Sequence, residues 1–230
     1  MDHASASHAQ IAEMLAAIEE SAEKFLSERG GLALPRRLRA GPDTTLPHME
    51  FEAAHWAEMA ALGWLGILVP EAQGGLGLAV DAAAALARRV GRWLAPEPFT
   101  AASVAAHLIA AIDTQAARAL LTPLVAGQTV IGIDTDLDAA ITADVPSGPA
   151  LLQASARIGR ILCAAELLGA AERLHEMTLE CAGQRKQFGK AIGGFQVLQH
   201  RCVDVRIQIE MARASLADAR RARRARDPGA

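Results

Sequence analysis

Apolar residues return at intervals of three and four from about His8 to Glu28, at Ile11, Met14, Leu15, Ile18, Ala22, Phe25 and Leu26, with acids on the opposite face. That spacing follows the helical turn and predicts an amphipathic helix. Gly30-Gly31 stops it, and the stretch to Pro47, holding Pro35, Gly41 and Pro42, reads as a surface loop. A second helix is expected from Glu50 to Leu62, ended by Gly63. Trp64 to Glu71, followed by Gly74-Gly75-Leu76-Gly77, reads as a structured loop because proline and glycines interrupt any period. Asp81 opens a third helix to about Leu94, and Pro96 and Pro98 divide it from a fourth over Ala101 to Ile112. Thr114 caps a shorter helix that ends near Ala126-Gly127.

From Thr129 to Ile133 the pattern changes to β-branched residues, and Ala139 to Ala143 reads as a second short strand before Pro146-Ser147-Gly148-Pro149 breaks the chain. Two long helices follow, from about Leu152 to Ala182 and from about Gly194 to Arg224, with Gly183 to Gly193 between them. In the second, Phe195, Leu198, Cys202, Val205, Ile209, Ala212 and Leu216 fall at alternating steps of three and four, a heptad seam expected to pack along another helix. The arginines between Arg220 and Arg226 read as a solvated helix end that complements the macrodipole. The expected organisation is an N-terminal helical domain over 1–127, a short middle segment over 128–151 and a C-terminal helical hairpin over 152–230.

Composition narrows the class. Aromatic residues are 3% of the 230 and tyrosine is absent, while the 51% hydrophobic content is largely alanine and leucine, so closely packed helices are favoured over a β-rich fold. The fold class expected is all-α. A net charge of −3 provides no field to hold a polyanion, which argues against nucleic acid as a partner. Cys163, Cys181 and Cys202 lack metal-site spacing and are expected as buried thiols, so no metal site is assigned. An odd cysteine count without a secretory leader fits a cytoplasmic address, and no run is long enough to span a bilayer.

The chemistry concentrates near the last turn between helices. Arg185, at a helix end, can grip a pyrophosphate in bidentate fashion, and Gln187 and the following backbone N–H groups add donors. Phe188-Gly189 makes a tight turn, and Gln196 lies just inside the next helix with its amide available. Gly-Gly-Leu-Gly at Gly74 to Gly77 is no nucleotide fingerprint, because no strand precedes it.

Three stretches, in order, resemble the acyl-CoA dehydrogenase family. They are Leu62-Gly63-Trp64-Leu65-Gly66 with Val69-Pro70-Glu71 and Gly74-Gly75-Leu76-Gly77; then Gly91-Arg92-Trp93-Leu94-Ala95-Pro96-Glu97-Pro98; and last Ala164 to Glu172 leading into Arg185-Lys186-Gln187-Phe188-Gly189-Lys190, Phe195-Gln196 and His200-Arg201. The resemblance implies two helical halves like that family's N- and C-terminal domains. It also implies that Arg185, Gln187, Phe188, Gly189 and Gln196 reach FAD across a subunit interface, and that Arg160 lies near the acyl-CoA substrate.

The joining segment is too short for the β-domain that the family carries between its helical parts. Asp134-Thr135-Asp136 stands where the family has Thr-Glu-Pro, and no tryptophan follows Trp93. The reaction needs a carboxylate base beside the flavin ring. The family places one late in its C-terminal domain, beyond the last residue here, or at the position that Gly159 occupies; Glu166 and Glu172 read as ordinary helix glutamates, so no catalytic base is named. Two readings follow: an interface half-site for FAD in α,β-dehydrogenation of an acyl-CoA, supplied within a homo- or hetero-oligomer with an acyl-CoA dehydrogenase-type subunit, or a flavin-free helical oligomerisation module without turnover.

Overall fold

The computed structural model describes residues 3–29, 31–39, 51–131 and 147–226. The chain is all-α, as its composition requires, with eight helices among these residues. They are α1 His3–Glu28, α2 Ala33–Arg39, α3 Ala53–Ala61, α4 Val80–Trp93, α5 Phe99–Ile112, α6 Gln115–Val125, α7 Gly148–Gln184 and α8 Gln196–Arg226. A minimal antiparallel hairpin, β1 Lys186–Gln187 and β2 Lys190–Ala191, joins α7 to α8. Among the described residues no helix is long and apolar enough to cross a membrane.

α4 occupies the centre because it is narrow. Ala82, Ala83, Ala84, Ala85 and Ala87 are buried together with Leu86 and Val90, so α1 and α7 approach its axis closely. The approach to α7 is set by glycine on both sides. A Cβ on Gly91 would lie 1.8 Å from the carbonyl oxygen of Glu166, and one on Gly169 would lie 1.9 Å from that of Arg88. One core therefore runs through both halves of the chain, from Ala22 and Leu26 of α1 through Leu162 and Ala165 of α7 to Ile209 and Leu216 of α8.

Charged side chains fix the register of this crossing. Arg89 of α4 donates to Glu19 (2.7 Å) and Glu23 (3.1 Å) of α1, and Arg92 makes a bidentate pair with Glu176 of α7 (2.8 Å each). Glu172, almost fully buried, accepts from Arg88 of α4 at 3.0 Å and from Arg213 of α8 at 2.6 Å. The Arg92 guanidinium holds the Glu176 carboxyl below its ordinary value, with Arg173 adding to the effect. Such pairs contribute more to alignment than to net stability, because desolvation offsets most of their attraction.

Several expectations are corrected. The stretch after Gly31 is not all loop: α2 forms over Ala33–Arg39 with Pro35 in its first turn, where no backbone N–H is needed and the fixed φ suits a helix. Thr129 to Ile131 form no strand, and the remainder of that run and Ala139 to Ala143 lie outside the described residues. Cys163 and Cys181 are exposed and Cys202 half-buried, so these thiols are not core residues. The heptad seam of α8 is only partly covered, since Ile209 and Leu216 are buried whereas Val205 and Ala212 are exposed. Glu172 is no ordinary helix glutamate but the junction of three helices. Nor is the arginine-rich end wholly solvated, because Arg220 and Arg224 both reach the buried carboxylate of Asp81 at the start of α4.

The loop before α4 is a closed chain reversal. Leu76, Gly77 and Leu78 donate backbone N–H bonds to the carbonyls of Gly66, Val69 and Ile67 (3.0, 2.7 and 2.9 Å). A Cβ on Gly75 would lie 2.2 Å from the Val69 carbonyl oxygen, so only glycine lets these strands of loop touch.

Candidate functional site

α7 ends where Arg185 turns extended, its N–H still bonded to the Cys181 carbonyl (2.8 Å) and its own carbonyl accepting from Ile192 (2.9 Å). Lys186 pairs with Ala191 and Gln187 with Lys190, leaving a two-residue turn at Phe188-Gly189. Both turn residues have positive φ, 53° and 81°, which is the twist that a tight hairpin needs. The apex is stiffened by its neighbours. The Phe188 ring meets Phe195 edge-on with centroids 6.2 Å apart, and the Lys190 ammonium lies 4.4 Å over the Phe195 ring and donates to the Gly194 carbonyl (3.2 Å). Gln199 closes the entry to α8 by donating to the Gly193 carbonyl at 3.0 Å.

The structure brings Arg185, Gln187, Phe188, Gly189 and Gln196 together at this tip, all exposed. Phe188 is 92% exposed. The guanidinium of Arg185 has no ion-pair partner among the described residues, and neither does the side chain of Gln187 or Gln196 have a hydrogen-bond partner there. A stiff turn thus holds a cation, two amides and an aromatic ring exposed side by side.

Arg160 is elsewhere. It lies near the opposite end of α7, about 37 Å from Arg185 at the helical rise. There α5, α7 and α8 enclose a cleft of about 590 Å³. Ile158, Ile161 and Leu216, all buried, form part of its wall, and Arg157, Arg160, Arg223 and Arg226 surround it with His107 of α5. Arg157 donates to Gln153 (2.8 Å), and among the described residues no carboxylate lines the cleft. Gly159 is turned to α5, where a Cβ would meet Val104 at 3.5 Å. Of the nearby acids, Glu166 accepts from Thr100 (2.7 Å) and Glu172 is held by its two arginines. His107 and Arg157 carry no sequence signal, and Arg223 and Arg226 belong to the run that reads from sequence as a solvated helix end, because only the folded crossing of α7 and α8 places them together.

Residues 13–128 match the model of the acyl-CoA dehydrogenase N-terminal domain, and residues 147–229 that of the acyl-CoA dehydrogenase C-terminal domain. Acyl-CoA dehydrogenase IpdE2 of Mycobacterium tuberculosis (strain ATCC 25618 / H37Rv) is 31% identical over 197 residues, a match covering 69% of this chain and 62% of that protein. The structure of the Tcur3481-Tcur3483 steroid ACAD G363A variant superposes with a TM-score of 0.75 at 25% identity, over 95% of this chain and 79% of that one. The ChsE4-ChsE5 complex from Mycobacterium tuberculosis shares the fold, with a TM-score of 0.76 at 18% identity over 93% and 78% of the two chains.

Proposed function

Because this chain belongs to the acyl-CoA dehydrogenase family of flavoprotein oxidoreductases, we propose that it acts as one subunit of an oligomer and supplies an interface half-site for FAD. The reaction served is α,β-dehydrogenation of an acyl-CoA thioester. The observation that carries this reading is the hairpin tip, where Arg185, Gln187 and Gln196 are exposed without partners on a stiff turn. A pyrophosphate fits that donor set, with Arg185 as the bidentate cation and the two amides as neutral donors, while Phe188 and Gly189 shape the approach. The chemistry supplied by bound FAD is acceptance of the β-hydride as a base removes the α-proton.

Arg160 and Arg185 stand about seven helical turns apart on α7, so one chain's cofactor grip and its acyl-CoA cleft serve different centres. That separation supports an assembly in which each reactive centre draws on more than one subunit. The heteromeric pairs named in the structures of similar fold, Tcur3481-Tcur3483 and ChsE4-ChsE5, support a partner of acyl-CoA dehydrogenase type.

The test is co-purification with a full-length acyl-CoA dehydrogenase-type subunit in the presence of FAD. The complex is expected to be yellow and to reduce an artificial acceptor with acyl-CoA, and Arg185→Ala is expected to weaken FAD retention at least tenfold, one lost charge-assisted contact, while the complex stays assembled. A colourless complex overturns the proposal and leaves a flavin-free oligomerisation module, and a complex whose flavin is untouched by Arg185→Ala overturns the half-site assigned to the hairpin tip.

A further inference from the structure

The cleft between α7 and α8 exists because the facing positions are small. Beyond Ile209, where α8 still packs on its neighbours, the residues turned to the gap include Ala212, Ala219 and Ala222, and across it stand Ala154 and Ala164 of α7. A methyl group on each side does not reach across two helices, whereas leucines at such positions normally interdigitate. The gap is also prevented from collapsing. Arg220 and Arg224 tie the end of α8 to the buried Asp81 of α4, so the position of α8 over α7 is fixed from a second helix as well as by its own packing at Ile209 and Leu216. The resulting volume of about 590 Å³ lies within the range of about 300–1,000 Å³ typical of small-molecule sites.

The charge around this space is one-sided. Among the described residues, Arg160 and Arg226 have no ion-pair partner, Arg157 donates to the neutral Gln153, and no acid lines the wall. An apolar floor beneath the guanidinium groups of Arg157, Arg160 and Arg226 complements an amphiphilic anion, its apolar body inside and its anionic group at the rim.

We infer that Ala164, Ala212 and Ala219 set the size of the apolar body this cleft accepts, making it a site for an acid derivative with a long apolar chain in preference to a short one. The identity of the acid derivative as a CoA thioester rests on the function proposed above. The size preference rests on the alanine wall alone.

The experiment titrates the full chain with butyryl-CoA, dodecanoyl-CoA and free dodecanoate by calorimetry, and repeats it with Ala212→Leu and Ala219→Leu. Wild type is expected to bind dodecanoyl-CoA at least tenfold more tightly than butyryl-CoA, and each leucine is expected to reduce that ratio at least tenfold, because single methylenes in an apolar pocket discriminate by roughly 10- to 200-fold. Thermal melts followed by circular dichroism check that both variants fold. Should one fail to fold, Ala164→Val serves in its place, adding less volume to the same wall. Equal affinity for the two chain lengths in wild type, no binding of any probe, or a ratio unaltered in folded variants overturns the inference. If dodecanoate binds in a leucine-sensitive way while dodecanoyl-CoA does not bind, the alanine-walled site stands and the acyl-CoA reading falls. Binding of both thioesters without size preference gives the reverse result.

Discussion

Replacing Gly169 by alanine tests whether the α4–α7 crossing is as close as the backbone implies. Helix propensity alone favours alanine over glycine in a helix interior by about 1 kcal/mol. Here the new Cβ would lie 1.9 Å from the Arg88 carbonyl oxygen, 2.8 Å from its carbon and 3.0 Å from the Arg92 nitrogen. All three are backbone atoms, so no rotamer change relieves the contact. Restoring an ordinary 3.4 Å demands that the helices part by about 1.5 Å. Overpacking of this kind costs about 1–3 kcal/mol, and a gap of 0.5–1 Å forfeits roughly a quarter to a half of each dispersion contact along the crossing. The Arg88–Glu172 and Arg92–Glu176 pairs are stretched by the same motion. We expect a net loss of about 2 kcal/mol after propensity is credited, or about 4–8 °C in melting temperature for a chain of this size.

Gly159→Ala is the internal control on the same helix. Its Cβ would meet Val104 at 3.5 Å, an ordinary contact, so this variant is expected to gain up to about 1 kcal/mol. Urea denaturation followed by circular dichroism reads both. If Gly169→Ala proves as stable as wild type, the crossing is looser than described and the argument for glycine at Gly91 and Gly169 fails.

Three further outcomes are expected. Arg220→Ala strips the closer guanidinium from buried Asp81 and should lower stability by about 2–3 kcal/mol, with Arg224 and the α4 N-terminus preventing a larger loss; Asp81→Asn in the same background should restore part of it, and a urea midpoint unchanged in Arg220→Ala refutes the anchorage. Burial pushes the Glu97 carboxyl above its ordinary 4.5, against the pull of His55, so the stability it contributes is full below that value and is lost as pH rises through the raised folded value. Glu97→Gln should therefore gain on wild type progressively as urea melts are moved from acid toward neutral pH, and an equal difference at every pH contradicts the assignment. Gly189→Ala, forced to φ of 81°, should cost about 1 kcal/mol locally, visible as faster amide exchange at Gln187 and Lys190, which close the turn, with the core unaffected.

Periodicity located α1 and α8, and start and stop residues located α4 and α7, all of them signals that act over a few residues. It missed α2 because a proline that breaks helices elsewhere is harmless in a first turn. The hairpin tip was readable for a similar local reason, since Arg185 to Lys190 is contiguous and its turn chemistry is self-contained. The cleft was not. The heptad seam of α8 reads as packed, and the contacts of Arg220 and Arg224 with Asp81, the former 139 residues away, that help to place α8 leave no local signal. The same distance in sequence hid the role of Glu172, whose partners Arg88 and Arg213 lie 84 and 41 residues away.

The hold of Arg220 on Asp81 also orders events during synthesis. Asp81 and its partner are 139 residues apart, so at about 5–20 residues per second the ribosome takes on the order of ten seconds to supply the guanidinium after the carboxylate has emerged. Through that interval α4 has a lone acid at its start, beside an alanine wall that α7 and α8 have not yet covered. Because the core draws on α7 and α8 as well as on α1 and α4, its burial is complete only when nearly all of the C-terminal hairpin is made.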